Sequence, residues 1–271
     1  MYLQWLLIKR VFAGHSPFRV TALMTAANIM LGLGTFYYMS LVIGKGSGIR
    51  GEVYDQYGGP EHFMVVGVAM NALLTVGVAS VARAIDDERK QGTFTYWLMC
   101  QPRVLPLVLK ASVGDFLLAA INGIVTFAVL VTIFHLKFDI NYGSFLAVAA
   151  VSLLAAVGVA LAAAGLYVGG MKGRNPILWA WGLTTGFLAG TYVPVEIFTD
   201  PILHTATQVV PITHLMLAMR AALLRHADLT DPTLWPHLLY MAAFTSIVLP
   251  LGLWVFQRGL HRSLNQGRLI E

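Results

Sequence analysis

Residues 144–170 read SFLAVAAVSLLAAVGVALAAAGLYVGG, without one charged side chain. As a helix this stretch rises about 40 Å at roughly 1.5 Å per residue, enough to cross the roughly 30 Å of hydrocarbon in a bilayer. Neither the 3.6-residue polar period of a soluble helix nor the alternation of a half-buried strand runs through it, so it reads as a membrane-spanning helix. Four further blocks pass the same test: 20–43, 62–82, 111–134 and 237–256. Composition agrees, since 57% of the 271 residues are hydrophobic and 11% charged, against roughly a quarter charged in soluble domains. No polar stretch is long enough for a separate soluble unit. The expected fold is an all-α membrane protein forming a single transmembrane domain over 1–271.

Several function classes fall away at this point. The single cysteine, Cys100, excludes an intramolecular disulfide and a zinc cluster built on thiolates. The formal charge of +5 comes from basic residues scattered between apolar blocks, which argues against a nucleic-acid partner and for a role in membrane orientation. The apolar run at 2–8 precedes Lys9 and Arg10 and lacks a small-residue cleavage site, so it is not expected to be a signal peptide. Leu3, Leu6, Leu7 and Val11 instead fall on one face of a short helix whose lysine and arginine reach lipid phosphates, the pattern of an N-terminal interfacial helix in contact with membrane lipid.

The block 177–224 is less regular. Residues 177–193 are barely long enough to cross, and Pro194, Glu196, Asp200 and Pro201 interrupt the apolar run beyond them. With 177–193 as the fifth of six spans and 194–224 as a hairpin that dips into the outer leaflet and returns, both termini lie on one side. Thirteen of the 18 lysines and arginines then face inward and five outward, Arg220 and Arg225 among the five, as the positive-inside rule requires. A full crossing by 202–224 would export the basic tail and place Arg220 inside a span. Backbone groups freed by Pro211 cannot be satisfied by lipid, so the hairpin is expected to pack within the mouth of the bundle.

The longest inner loop, 83–110, carries Asp86, Asp87, Glu88, Arg89 and Lys90, then Gln91, Gly92 and Thr93 and the aromatics Phe94, Tyr96 and Trp97. Mixed charge beside aromatics suits a docking element, although such a cluster between two spans is commonly a solvated turn. Three stretches of this sequence resemble the ABC-2 type permease family: 88–94 (ERKQGTF), 190–198 (GTYVPVEIF) and 210–214 (VPITH) followed by Arg220. The family has six spans, a cytoplasmic coupling helix after the second and an outer re-entrant hairpin before the sixth.

What the resemblance implies is specific. The chain would be the permease subunit of an ABC exporter in the bacterial inner membrane, with both termini cytoplasmic. It would pair with a second copy or with a related permease, on two cytoplasmic ATPase subunits that hold ATP and magnesium. Asp87, Glu88, Arg89, Gly92, Thr93 and Phe94 would form the coupling segment, with Glu88 and Arg89 in charge-assisted contacts and Phe94 and Trp97 in an apolar cleft of the ATPase. Pro194, Glu196, Phe198, Pro211, Thr213, His214 and Arg220 would build the hairpin. No Gly-x-x-x-x-Gly-Lys-Ser/Thr phosphate loop occurs, so no cofactor is expected in this chain and no enzymatic activity of its own.

Other features carry less. Gly165 and Gly169, and then Gly182, Gly186 and Gly190, make small-residue steps that serve either tight packing within one subunit, the commoner use, or a dimer seam. Asp115, one turn from the inner surface beside Lys110, reads as an anchor. His135, His204 and His214 lack the spacing of a metal site. The aromatics near the span ends suit interfacial belts, which favours a drug, lipid or glycolipid substrate over a polysaccharide. An ion-coupled secondary transporter would need midplane ionisable groups or an internal repeat, and neither is present in the sequence.

Overall fold

The computed structural model describes residues 53–94, 96, 104–171 and 175–265. The expected interfacial helix and the span 20–43 lie outside them, as do Trp97, Cys100 and the side chains of Asp115 and Asn122. In order, the elements are α1 (Pro60–Lys90), α2 (Val104–Phe134), α3 (Tyr142–Val168), α4 (Pro176–Leu183) with a π-helical continuation (Thr184–Leu188), a 3-10 turn (Val195–Ile197), α5 (Pro201–Val209), α6 (Pro211–Leu224) and α7 (Trp235–Asn265). No strand occurs among the described residues.

Helices α1, α3 and α7 are each long and apolar enough to cross a membrane, and the pair α5 and α6, bent by 76°, meets the test together, making up to four. Helix α2 is 31 residues long and contributes the shorter apolar stretches Val104–Gly114 and Gly123–Phe134. The expected fifth span is shorter than its apolar block: helix ends at Leu188 and the chain turns at Gly190, which has φ +67°. The cause lies in the last turns. The hydroxyls of Thr184 and Thr185 donate to carbonyls three and four residues back, and Thr191 Oγ1 donates to Thr185 O at 2.6 Å, pulling the chain out of the helical path.

Four prolines open helices here, while Pro250 lies inside α7. Pro60, Pro176, Pro201 and Pro211 each sit in the first turn, where the missing N–H costs nothing and the fixed φ suits the helix. Asn141, Asn175 and Asp200 cap α3, α4 and α5 by accepting from backbone amides one turn in. Asn175 also donates to Ala163 O at 2.7 Å, tying the start of α4 to the last third of α3.

The centre of the bundle is the pair α3 and α7. A Cβ at Gly252 would strike the carbonyl of Gly158, and one at Gly259 the carbonyl of Gly165. A Cβ at Gly165 would stand 2.7 Å from the backbone of Phe256. Both helices advance by seven residues between these contacts, so they run parallel. Lipid offers no hydrophobic drive between helices, and backbone approach of this kind is what holds them. The reading of Gly165 as a packing glycine is met, with partners in α7. At Gly182 and Gly186, by contrast, an added Cβ would have nothing within 4 Å.

Helix α2 runs against α1, since Gly77 meets Phe116 while Gly123 meets Leu73. The bundle therefore has two ends. Residues 54–63, 135–141, 190–200 and 225–235 gather at the near end. The termini of α1 and α3, together with Asn175 and the end of α7, gather at the far end.

Candidate functional sites at the two ends of the bundle

At the far end, α1 closes in a Schellman turn: Thr93 N donates to Glu88 O and Gly92 N to Arg89 O, both at 3.0 Å, with Gly92 at φ +70°. Arg89 and Lys90 in the last turn face the negative end of the helix dipole. Glu88 is buried and accepts a short hydrogen bond from Thr93 Oγ1. Arg89 Nη1 donates to Tyr167 O at 2.7 Å and so fastens the turn to the end of α3.

This placement revises part of the expectation. Phe94 is buried in the chain's own core with Val81, Ile85, Val104 and Leu161, so it does not present itself to a partner's cleft; in a turn this tight, the residue after Thr93 folds back onto α1 and α3. Glu88 and Arg89 build the turn. The outward-facing side chains are Asp87, Lys90, Gln91 and Tyr96, Lys90 paired with Asp86 at 2.5 Å.

At the near end, Arg220 joins the start of α1 to the bend at residues 190 and 191. Its side chain is buried. Nη2 donates to Gly190 O (2.8 Å), Phe63 O (3.2 Å) and Thr191 O (3.3 Å), and the guanidinium lies 3.4 Å from the centroid of the Phe63 ring. One side chain thus satisfies carbonyls at the start of α1 and at the bend after the π-helical turn. Gly67 is glycine for this reason: a Cβ there would strike Thr191 O and stand 2.8 Å from Nη2 of Arg220.

Glu196 accepts from Tyr57 Oη at 2.9 Å. Burial, and then the charge of Glu196, push the Tyr57 phenol up to about 12. Tyr54 and Tyr57 flank Phe63 edge-on at 5.3 and 5.0 Å, and Arg225 Nη2 donates to Gln56 O at 3.0 Å. The chain entering α5 and the chain leaving α6 therefore both meet the segment 54–57. Phe198 rests against Phe187 at 5.9 Å, and Pro194 precedes the 3-10 turn.

The bend between α5 and α6 is tied down separately. Pro211 opens α6, and Thr213 Oγ1 donates to Leu188 O at 3.1 Å. His214 stacks on Tyr240 at 4.0 Å and meets His237 and Gln208 through its two nitrogens. Tyr57, Phe63, His237 and Tyr240 were not legible as site residues. Tyr57 lies in a polar stretch outside any motif, and nothing local links residue 214 to a histidine 23 positions on.

No group of three or more His, Cys, Asp or Glu side chains suited to a metal occurs among the described residues. A family model described as ABC-2 family transporter protein matches residues 20–254, a range that takes in both ends of the bundle. A comparison with curated proteins finds no match.

Proposed function

Since this chain belongs to the ABC-2 family of transporters, we propose that it is the membrane permease subunit of an ATP-driven exporter in the bacterial inner membrane, with both termini cytoplasmic. Two copies, or one copy and a related permease, rest on two cytoplasmic ATPase subunits, and ATP and magnesium are held there. The far end is the cytoplasmic end and the near end the outer one. The substrate is drug-, lipid- or glycolipid-like, in keeping with the apolar side chains Trp179, Leu183 and Phe187 exposed along α4 and its continuation.

The observation that carries the reading is the course of α1. This one helix of 31 residues, about 45 Å long, joins the Schellman turn at 88–93 to the Arg220 and Glu196 contacts at the other end. Force applied by the ATPase at Asp87, Lys90, Gln91 and Tyr96 is passed to α1 and, through Arg89, to α3. At the outer end α1 carries Phe63 and Gly67, against which Arg220 holds the α5 and α6 pair. The parallel course of α3 and α7 supports a re-entrant pair: α4 runs back once between them, so a full crossing by α5 and α6 would leave α7 antiparallel to α3.

The test is co-purification and transport. The chain alone should hydrolyse no ATP, and with its ATPase it should form a complex that does. Asp87→Lys combined with Tyr96→Ala alters exposed positions and should abolish complex formation with surface expression unchanged, while Gly92→Val strains the φ +70° turn and should uncouple ATP hydrolysis from transport. Normal complexes and normal transport in both variants would remove the coupling role from this turn.

A further inference from the structure

Where α6 meets α7, His214 and His237 face each other with their Nδ1 atoms 2.9 Å apart. The ring centroids are 5.1 Å apart, so the two nitrogens lie between the rings and point at one another. Nitrogens that chelate one metal ion aim at a third point off the line joining them, and this pair does not. His214 Nε2 is 2.8 Å from Gln208 O; a carbonyl only accepts, so Nε2 carries a hydrogen. A single proton must therefore occupy the space between the two Nδ1 atoms, donated by one ring and accepted by the other.

The position of this pair matters. Gln208 lies near the end of α5 and His214 in the first turn of α6, so the pair clamps the bend between the two helices onto the third residue of α7. Tyr240 adds a second tie, its hydroxyl donating to Val209 O at 2.6 Å while its ring stacks on His214. Other ionisable groups nearby are few. On α5, His204 sits one turn before Gln208; on α6, Arg220 turns away to Phe63 and Gly190; the π-helical turn 184–188 carries none. In the segment leading into α7, the Asp231 carboxylate is occupied by Thr233, and Asp228 by Asn141.

We propose that the His214 and His237 pair is an acid-released latch: one shared proton holds the α5 and α6 bend on α7, and protonation of both rings opens it. A first added proton leaves one cationic and one neutral ring and keeps the shared hydrogen bond; when both rings are cationic, each Nδ1 carries its own hydrogen, two donors face each other at hydrogen-bond distance, and the rings repel. The latch is thus closed while one Nδ1 stays unprotonated and is lost in acid, once both rings are cationic. That the bend faces the outer medium rests on the permease reading; the latch itself does not.

The test uses the full chain in nanodiscs with Cys100→Ala and spin labels at Thr205→Cys on α5 and Tyr142→Cys at the start of α3, both exposed positions. One distance population is expected at about pH 7.5, and a second should grow in as the pH is lowered to about 4.5, roughly two units below the ordinary histidine value. His237→Gln should abolish that second population, because an amide both donates and accepts and so satisfies His214 in either protonation state. Tyr240→Phe keeps the stack and removes the tie to Val209, and should move the midpoint of opening toward neutral pH. Identical distributions at both pH values, or an unchanged acid response in His237→Gln, would overturn the latch; should His237→Gln not fold, an unmoved midpoint in Tyr240→Phe does the same. Neither ATPase nor substrate enters the measurement, so its failure leaves the permease reading standing.

Discussion

Along the seam between α3 and α7, Gly158, Gly165, Gly252 and Gly259 bring two backbones into contact, whereas around Arg220 two separate pieces of backbone, at residue 63 and at 190 and 191, are gathered by one long side chain. The seam works largely through the absence of side chains: its energy is mostly dispersion spread over two helix faces, with one long hydrogen bond from Thr245 Oγ1 to Val151 O at 3.4 Å, and any added atom must push the helices apart. The Arg220 node works through a few charge-assisted hydrogen bonds with fixed geometry, which can be exchanged for others when helices move. A transporter needs both, a pair of helices that moves as one body and contacts that release. On the permease reading, the distinction predicts that α3 and α7 move as one body and that the α5 and α6 pair rearranges.

The sharpest way to break this comparison is to add atoms to the seam. Gly259→Val should cost about 3 kcal/mol or more, since a close-packed interface cannot absorb the volume, and should appear as loss of monodisperse protein and a collapsed thermal midpoint in detergent. A variant as stable as the parent would show that the seam yields. Next in size is Arg220→Lys, expected to cost about 2 kcal/mol because an ammonium cannot reproduce the planar fork and leaves buried carbonyls unpaired. Here thermal stability and transport should fall together; retention of both would reduce Arg220 to a bulk positive charge.

Tyr57 sharpens the contrast through pH. Its folded value, about 12, stands above the ordinary 10, so its contribution is whole below about pH 10 and is lost as pH rises toward 12. Ultraviolet titration of the phenolate, with Tyr57→Phe as reference, should show late ionisation. Glu196→Gln should bring it part of the way back, because burial is the larger cause and the carboxylate the second. An unchanged titration in that variant would dissociate Glu196 from the near-end network. The smallest effect is expected at Gly186→Ala, where a Cβ meets nothing and stability should stay within about 0.5 kcal/mol. A large loss there would mean that this glycine face is covered in the assembled transporter.

Much of the fold was legible because the signals are local. Long uncharged blocks and Gly92 in its turn each act within a few residues of chain. Gly165 was legible as a packing residue but not its partner, since Gly252 and Gly259 lie in the last helix and only the parallel register brings them together. Phe94 was misplaced because an aromatic in a charged loop reads the same whether it points outward or back into the core. Arg220 was singled out with the hairpin, but its partners were not legible, since the carbonyls of residues 63, 190 and 191 that surround it come from elsewhere in the chain. His237 carries no local mark at all.

Sequence alone determined that the chain is built of long apolar helices, because hydrophobic transfer and backbone sterics depend on a residue and its near neighbours. It also determined the likeness to a transporter family, through short motifs whose spacing survives along the chain. Tertiary structure alone decided which motif residues are spent internally and which face outward, and it paired His214 with His237, Arg220 with Phe63 and Gly190, and Tyr57 with Glu196. The reason is physical. A buried polar group must find a partner somewhere in three dimensions, and which one it finds depends on the relative register of whole helices, set by contacts such as the α3 and α7 glycines far away in the chain.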